Sequence, residues 1–280
     1  MSPSGRAEGM AHLRRAVEAI EALFGAVEAR SGERLSLGRA LDRRLGGGLA
    51  LDGLHEIAPA APADGPAAMG FALSLAARCL AERRSAGLIV VEEFCGREMG
   101  RLYGPGLVAH GLDLARLVFV RAPDAASLFQ AMEDSLRSGA PAFVLGEVCR
   151  LKGYDLTVSR RLGLAARAGA TPALLVQASA YGAADRLSSA AETRFEIAAA
   201  PSAHAPSAGG GRGLPGRPSF SARIVKARLA SGQGPPVGLD TARILRLVWR
   251  SEDRTFDEPA IPIPVAAEVD DRPRATRPSR

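Results

Sequence analysis

The sequence predicts one α/β domain, built on a mostly parallel sheet with helices on both faces. Two observations predict this fold. Short, unbroken apolar runs such as Gly87–Val91 and Ala173–Gln177 recur along the middle of the chain, and segments with helical periodicity separate them. Strands buried on both faces are apolar throughout, and parallel strands need a crossover, which is usually a helix. The 280 residues, 47% of them hydrophobic, are enough for one large core.

The predicted elements alternate in chain order. Strands are predicted at 54–57, 87–91, 117–120, 142–145 and 173–177, and helices at 71–82, 97–110, 124–138 and 155–168. Further along the chain, 220–229 and 243–250 alternate in polarity and are expected to pair as an antiparallel edge. The predicted organisation is an N-terminal amphipathic helix in 1–34, a core in 35–200, a Gly/Pro-rich loop in 201–219, an edge-strand extension in 220–257 and a disordered tail in 258–280.

Both ends of the chain are candidates for partner contacts. Residues 11–30 have apolar side chains at helical spacing, and the tail has arginines among prolines; the side chains concerned are Leu13, Val17, Ile20, Phe24, Arg272, Arg274 and Arg277. The helix either packs on its own domain or docks on a partner, and the tail is either solvated or orders on binding. We expect 11–30 and 220–280 to carry partner contacts, and the core to stay folded without them.

Composition limits the compartment and the ligands. The net charge of +6 comes almost entirely from arginine spread along the chain, so it leaves direct DNA binding open. No apolar run is long enough to span a membrane, and no export signal is evident. Cys79, Cys95 and Cys149 form no CxxC pair and are expected to be reduced in a cytoplasmic protein. We expect neither a metal site nor a cofactor.

A glycine-spaced frame carries the most functional information. Gly46–Gly48 precedes the first strand, which resembles the entry into the RecA/RadA core, where a phosphate loop GxxxxGK[ST] follows the strand. Gly65 and Gly70 keep the glycine spacing of that loop, but Phe71 replaces its lysine and Ala72 its hydroxyl residue. The lysine and hydroxyl hold the phosphates and Mg²⁺. Whether the frame is a degenerate phosphate loop or a chance pattern in a Gly/Ala-rich chain, no nucleotide site is expected.

Other positions of a RecA-like ATPase are either altered or kept without the residues that they would act with. Gly146 stands where such enzymes have a magnesium-binding aspartate, and Glu147 would replace it only with a one-residue shift that changes the sheet face. Glu93 matches the water-activating glutamate, and Gln177 matches the polar sensor. Neither can support hydrolysis without phosphate and metal clamps. The sequence therefore predicts vestigial polar positions, no catalytic residue and no enzyme activity.

A series of weak motifs in order resembles the family of inducible mutagenesis protein A, ImuA. The motifs lie at 45–49, 65–72, 102–107, 111–117, 132–136, 156–162 and 192–195. The resemblance implies a RecA-like accessory factor in damage-induced translesion synthesis, within the SOS response. It also implies RecA and an ImuB-type inactive Y-family polymerase homologue as partners, with an error-prone replicative-type polymerase joining indirectly.

Two alternative functions remain open from the sequence. One is a RecA/RadA-type DNA-dependent ATPase in recombination, which would have to bind ATP by another route. The other is a cell-division inhibitor of the SulA type, although such proteins are shorter and do not need residues 201–280.

Overall fold

The structure is a computed structural model that describes residues 32–149, 151, 153–182, 184–185, 188–202, 216–228 and 239–259. The predicted partner-binding residues of both termini lie outside the described residues. They are Leu13, Val17, Ile20, Phe24, Arg272, Arg274 and Arg277.

The described chain contains eleven strands and six α-helices. It opens with β1 (Arg34–Leu35), α1 (Arg39–Leu45), β2 (Leu49–Ala50), β3 (Leu54–Pro59), α2 (Gly65–Glu82), β4 (Gly87–Glu92), α3 (Glu93–Glu98) and α4 (Gly104–Ala109). It continues with β5 (Leu117–Ala122), α5 (Ala125–Ser138), β6 (Val144–Val148), α6 (Leu156–Ala168), β7 (Ala173–Gln177), β8 (Thr193–Ala199), β9 (Ser219–Ala227), β10 (Ile244–Arg250) and β11 (Thr255–Asp257). Short 3₁₀ turns cover Pro62–Asp64 and Leu114–Arg116.

Nine strands form one sheet in the order β11-β10-β9-β8-β3-β7-β6-β4-β5. The pairs from β8 to β5 are parallel, whereas β8–β9, β9–β10 and β10–β11 are antiparallel. The prediction of a mostly parallel α/β sheet with helices on both faces is confirmed. The fold follows from local patterns, because the parallel strands are largely apolar and each crossover between β3 and β7 in chain order contains a helix.

Helices cover the two faces of the sheet unequally. α2 packs alone over the centre of one face, and its buried side chains join Leu145 and Val176 in the larger core. α5 and α6 cover the other face, where Val144 and Leu175 lie in a second core. Asp124 and Asp155 start α5 and α6 by accepting backbone N–H bonds at the N-caps. None of the helices in the described segments has the length and hydropathy to cross a bilayer.

The antiparallel strands are part of the core, which corrects the expectation that 220–280 can be removed. Phe220, Trp249 and Phe256 from β9, β10 and β11 are buried in the same core as α2. Their removal would expose the rings of that core to water. Only the part of this segment beyond β11 is therefore suited to truncation.

The helix predicted at 97–110 is in fact two short helices, α3 and α4, joined by residues 99–103. Gly100 has φ +88°, a conformation that glycine tolerates and that ends α3. Pro105 lies in the first turn of α4, where its missing N–H costs no helical bond.

Two of the three cysteines form a disulfide, so the expectation that all are reduced is wrong for Cys95 and Cys149. The physical reason lies in the strand order. β4 and β6 are parallel neighbours, so the residues that follow them, in α3 and after β6, meet at one edge. Cys79 stays a thiol inside α2, and burial raises its pKa to about 12.

Candidate functional site

The carboxyl ends of β3, β4, β6 and β7 meet at one edge of the sheet. In open parallel sheets this edge is where ligands bind. The connection from β3 to α2 lies here, as do Glu93, Glu147 and Gln177, which all stand at strand ends. Residues 99–107 lie beside the first turns of α2. The structure thus brings the residues singled out from the sequence to one edge.

The glycine frame of the sequence analysis does not form a loop. α2 begins at Gly65, so Gly65, Gly70, Phe71 and Ala72 all lie within its first turns. Pro66 suits this start because proline is favoured in the first turn of a helix. The assignment of these residues to a phosphate loop is therefore corrected: their spacing is that of a loop, but their conformation is helical.

The loop between β3 and α2 lies upstream of that frame. A phosphate loop joins strand to helix, with its lysine at the helix start. Placed between the end of β3 and the start of α2, the motif puts Pro59 and Asp64 at its glycines, Gly65 at its lysine and Pro66 at its hydroxyl residue. In this register no side chain supplies a positive charge or a metal-binding hydroxyl.

Asp64 closes this loop from inside. Its Oδ2 accepts the N–H of Ala61 at 3.1 Å, and its Oδ1 accepts the N–H of Ala199 in β8 at 2.8 Å. Phosphate loops bind their ligand with free backbone N–H groups. Here a carboxylate takes the Ala61 amide and adds negative charge, which disfavours an anion.

Phe71 lies on the buried face of α2. Its side chain is 0% exposed, and its ring centroid lies 5.2 Å from that of Phe195, 5.7 Å from Phe220 and 5.1 Å from Phe256. We call these four rings the aromatic cluster. Phe195 and Phe220 come from β8 and β9, so the ring of Phe71 joins α2 to the parallel and antiparallel parts of the sheet.

Glu93 and Gln177 differ in their surroundings. Glu93 is exposed in the first turn of α3 and pairs with Arg97 at 2.8 Å, and this hydrogen bond lowers its pKa. Gln177 is fully buried, and within the described part of the chain neither of its amide atoms has a hydrogen-bond partner. The buried acid at the end of β4 is Glu92, which accepts the N–H of Cys149 at 2.9 Å. Sequence reasoning missed Glu92 because the two adjacent glutamates look alike.

The two residues at the end of β6 face opposite ways. A side chain at Gly146 would meet Met132 of α5 and Leu175, in the second core. Glu147 faces α2 instead, on the same side of the sheet as the β3–α2 loop. It can therefore match the magnesium-binding aspartate of a RecA-like ATPase only if the motif is shifted by one residue from Gly146. It is 6% exposed, and burial raises its pKa to about 7. The side chain has no hydrogen-bond partner among the described residues.

Glu147 borders a cavity of about 490 Å³ between α2 and residues 99–107. We call it the α2 cavity. Its apolar walls include Met69 and Leu73 of α2, Met99 and Leu107. Neither the cavity nor the rest of the described residues contains a cluster of three or more His, Cys, Asp or Glu side chains that could hold a metal ion.

Replacing Glu147 with glutamine is expected to stabilise the protein at alkaline pH. The folded pKa of about 7 exceeds the ordinary 4.5, so the folded state keeps a proton that the unfolded state releases. Stability is therefore lost as pH rises from 4.5 through 7, and above 7 the E147Q variant should gain on the order of 3 kcal/mol. Urea unfolding of both proteins at pH 5 and pH 8 measures this gain, and an equal difference at the two pH values would contradict it. His55, whose pKa burial lowers to about 4, is common to both proteins and cancels.

A second buried polar group was not predicted from the sequence. Glu56 of β3 and Arg194 of β8 are opposite each other in the sheet and are 0% and 3% exposed, with Arg194 Nε 2.6 Å from Glu56. Ser189 and Tyr154 also donate hydroxyl hydrogen bonds to this carboxylate. Arg194 donates further to the carbonyl of Ala184 at 2.6 Å. We call this the Glu56 network, and it joins β3 and β8 to the segments before and after them.

The chain is similar to known proteins over part of its length. No protein-family model matches the chain. Two curated relatives, each named protein ImuA and from Caulobacter vibrioides strains NA1000 and ATCC 19089, are 34% identical over 169 residues, which is 58% of this chain. The chain covers 66% of their length, just under two thirds.

Two solved structures share part of the fold. RadB recombinase is 13% identical with a TM-score of 0.49, covering 80% of this chain and 99% of RadB. SulA from Pseudomonas aeruginosa is 18% identical with a TM-score of 0.35, covering 44% of this chain and 96% of SulA. At these identities and TM-scores the two likenesses carry no conclusion about this chain. The identity to the curated ImuA proteins confirms that this chain resembles the ImuA family.

Proposed function

We propose that the chain is a non-catalytic accessory factor in DNA damage-induced mutagenesis, and that it acts in the cytoplasm by binding other proteins of translesion synthesis. Its direct partners in this proposal are RecA and an ImuB-type inactive Y-family polymerase homologue. An error-prone replicative-type polymerase joins through them. The proposal has two parts, the absence of nucleotide chemistry and the identity of the partners.

The closure of the β3–α2 loop carries the first part. Asp64 takes the amide of Ala61, and Gly65 and Pro66 stand where the lysine and hydroxyl would be needed. Catalysis of phosphoryl transfer consists almost entirely of positioning and charge stabilisation. A loop that presents the carboxylate of Asp64 and no lysine repels phosphate groups. This supports a role that does not involve ATP hydrolysis.

The similarity to curated ImuA proteins supports the second part. The matched 169 residues exceed half of this chain, and the sequence motifs that resemble the family lie across the sheet domain. The described core is a nine-stranded sheet, and its β3–α2 connection offers a carboxylate and no cationic side chain. Such a domain suits an adaptor that presents surfaces to partners.

Titration with a fluorescent ATP analogue and Mg²⁺ is expected to show no saturable binding in the micromolar range. The reason is the missing positive charge, since removal of even one charge-stabilising contact typically costs about 3 kcal/mol. A RecA protein measured under the same conditions serves as the positive control. Saturable micromolar binding would instead favour the RecA/RadA-type ATPase and would remove the basis of the adaptor proposal.

The partner assignment is tested by capture on the immobilised full chain. Purified RecA and the ImuB-type homologue are applied separately to the immobilised full chain and to an immobilised variant that ends at residue 259. We expect both partners to bind the full chain, and loss of either one in the truncated variant would place that contact in the tail. If neither partner binds the full chain, the partner assignment fails.

A further inference from the structure

The α2 cavity combines an apolar wall with one isolated acid. Met69 and Leu73 come from α2, and Met99 and Leu107 come from the segment that faces it. At about 490 Å³ the cavity falls within the usual size of ligand sites, which are mostly apolar with few polar groups. Met99 and Tyr103 are partly exposed at its rim, Tyr103 at 72%.

Glu147 is the polar feature that such a wall does not explain. Glu147 is only 6% exposed and borders the cavity. Its carboxyl group has no hydrogen-bond partner among the described residues. Buried carboxyl groups are normally paired. Arg101 also lines the cavity, but it is exposed and makes no ion pair with Glu147. Among the described residues, nothing that lines the cavity neutralises this carboxyl group.

We propose that the α2 cavity binds an arginine side chain of a partner protein, with Glu147 as its counter-charge. This rests on the proposed function, because an adaptor needs such a docking point. Folding of the free protein has already removed Glu147 from water. Binding of a cation therefore adds the charge pairing without a further desolvation cost for this carboxyl group. The occupant is thus a cation on an apolar stem.

Arginine fits this cavity better than lysine does. A guanidinium is planar, less strongly hydrated than an ammonium, and pairs with a carboxylate through two parallel hydrogen bonds. Its three-carbon stem would lie along the methionine and leucine side chains, as long cationic side chains do on apolar surfaces. Tyr103 at the rim offers an aromatic face for the rest of the partner segment.

The test is an NMR titration of protein labelled with ¹³C at the methionine methyl groups. The probes are N-butylguanidinium, the neutral 1-pentanol, the anion valerate, and the tripeptides acetyl-Leu-Arg-Leu-amide and acetyl-Leu-Gln-Leu-amide. At pH 8 we expect N-butylguanidinium and the arginine peptide to shift the methyl signals of Met69 and Met99, with Kd on the order of millimolar for so small a probe. Met132, on the opposite face of β6, should not shift.

Two matched variants separate the charge from the apolar wall. Glu147→Gln should weaken N-butylguanidinium binding at least about tenfold, equivalent to one charge-assisted contact. Glu93→Gln, which removes an exposed carboxylate from nearby α3, should leave it unchanged. Binding to the unaltered chain should also weaken as pH falls from 8 to 6, because protonation of Glu147 removes the counter-charge.

Several outcomes would overturn the proposal. Equal binding of 1-pentanol and N-butylguanidinium, or equal binding by the Glu147→Gln variant, would show an apolar cavity without charge recognition. Binding of N-butylguanidinium but not of the arginine peptide would exclude a partner side chain as the occupant. None of these results depends on RecA or the ImuB-type homologue, so failure here leaves the capture experiment to test the proposed function separately.

Discussion

Replacing Phe71 with lysine is expected to cost at least about 5 kcal/mol of unfolding free energy, since a lost buried phenylalanine costs about 3–5 kcal/mol and an unpaired buried charge adds to it. Phe71 is 0% exposed and packs on three other phenylalanines. A lysine at this buried position would therefore unfold the protein rather than create a nucleotide site. Urea denaturation followed by circular dichroism measures the loss.

Two further variants keep this prediction measurable when Phe71→Lys does not fold. Phe71→Leu keeps an apolar side chain and should lose only about 1–2 kcal/mol. Phe119→Lys places the same charge on edge strand β5, where the ring is 49% exposed, and should cost under about 1 kcal/mol. Equal melting temperatures for Phe71→Lys and the parent chain would show that the position faces solvent, contrary to the structure.

Replacing Glu56 with glutamine is expected to cost about 3–5 kcal/mol, because it leaves the guanidinium of Arg194 buried without its counter-charge. The two side chains are 2.6 Å apart and nearly inaccessible. Glutamine keeps the shape of the side chain, so the loss reports the charge and not a cavity. Chemical denaturation at pH 7 gives the value.

A double replacement separates the ion pair from general damage to β3. Combining Glu56→Gln with Arg194→Met removes both buried charges and should recover most of the loss, since neutral replacement of a whole buried pair is often tolerated. Glu93→Gln, which removes the exposed pair with Arg97, should leave the unfolding midpoint unchanged. A double variant that is less stable than Glu56→Gln alone would contradict a role for charge pairing.

The central strands could be predicted from sequence because their signal is local. β4, β6 and β7 are apolar runs, and α5 and α6 begin at aspartate caps that are visible in the sequence. β8 was missed because Arg194 and Glu196 interrupt its apolar pattern. Arg194 is neutralised by Glu56, which is 138 residues away, so no local pattern shows that it is buried.

The candidate site was less predictable for the same physical reason. Glycine spacing suggested a phosphate loop at 65–72, but spacing does not show where β3 ends and α2 starts. The orientation of Glu147 depends on the register of β6, which a one-residue change reverses. The pairing of Cys95 with Cys149 depends on β4 lying beside β6, and sheet order is set by contacts between distant parts of the chain.

The aromatic cluster also sets the order in which the protein can fold during its synthesis. Phe71 is made early, but its neighbour Phe256 belongs to β11, and the N–H of Phe256 bonds to the carbonyl of Leu37 at 2.8 Å. At about 5–20 residues per second, the ribosome needs roughly 10–40 s to extend the chain from one ring to the other. During that time the apolar face of α2 lacks part of its cover. The nascent chain therefore exposes apolar surface of α2 until translation nears its end and β11 can complete the aromatic cluster.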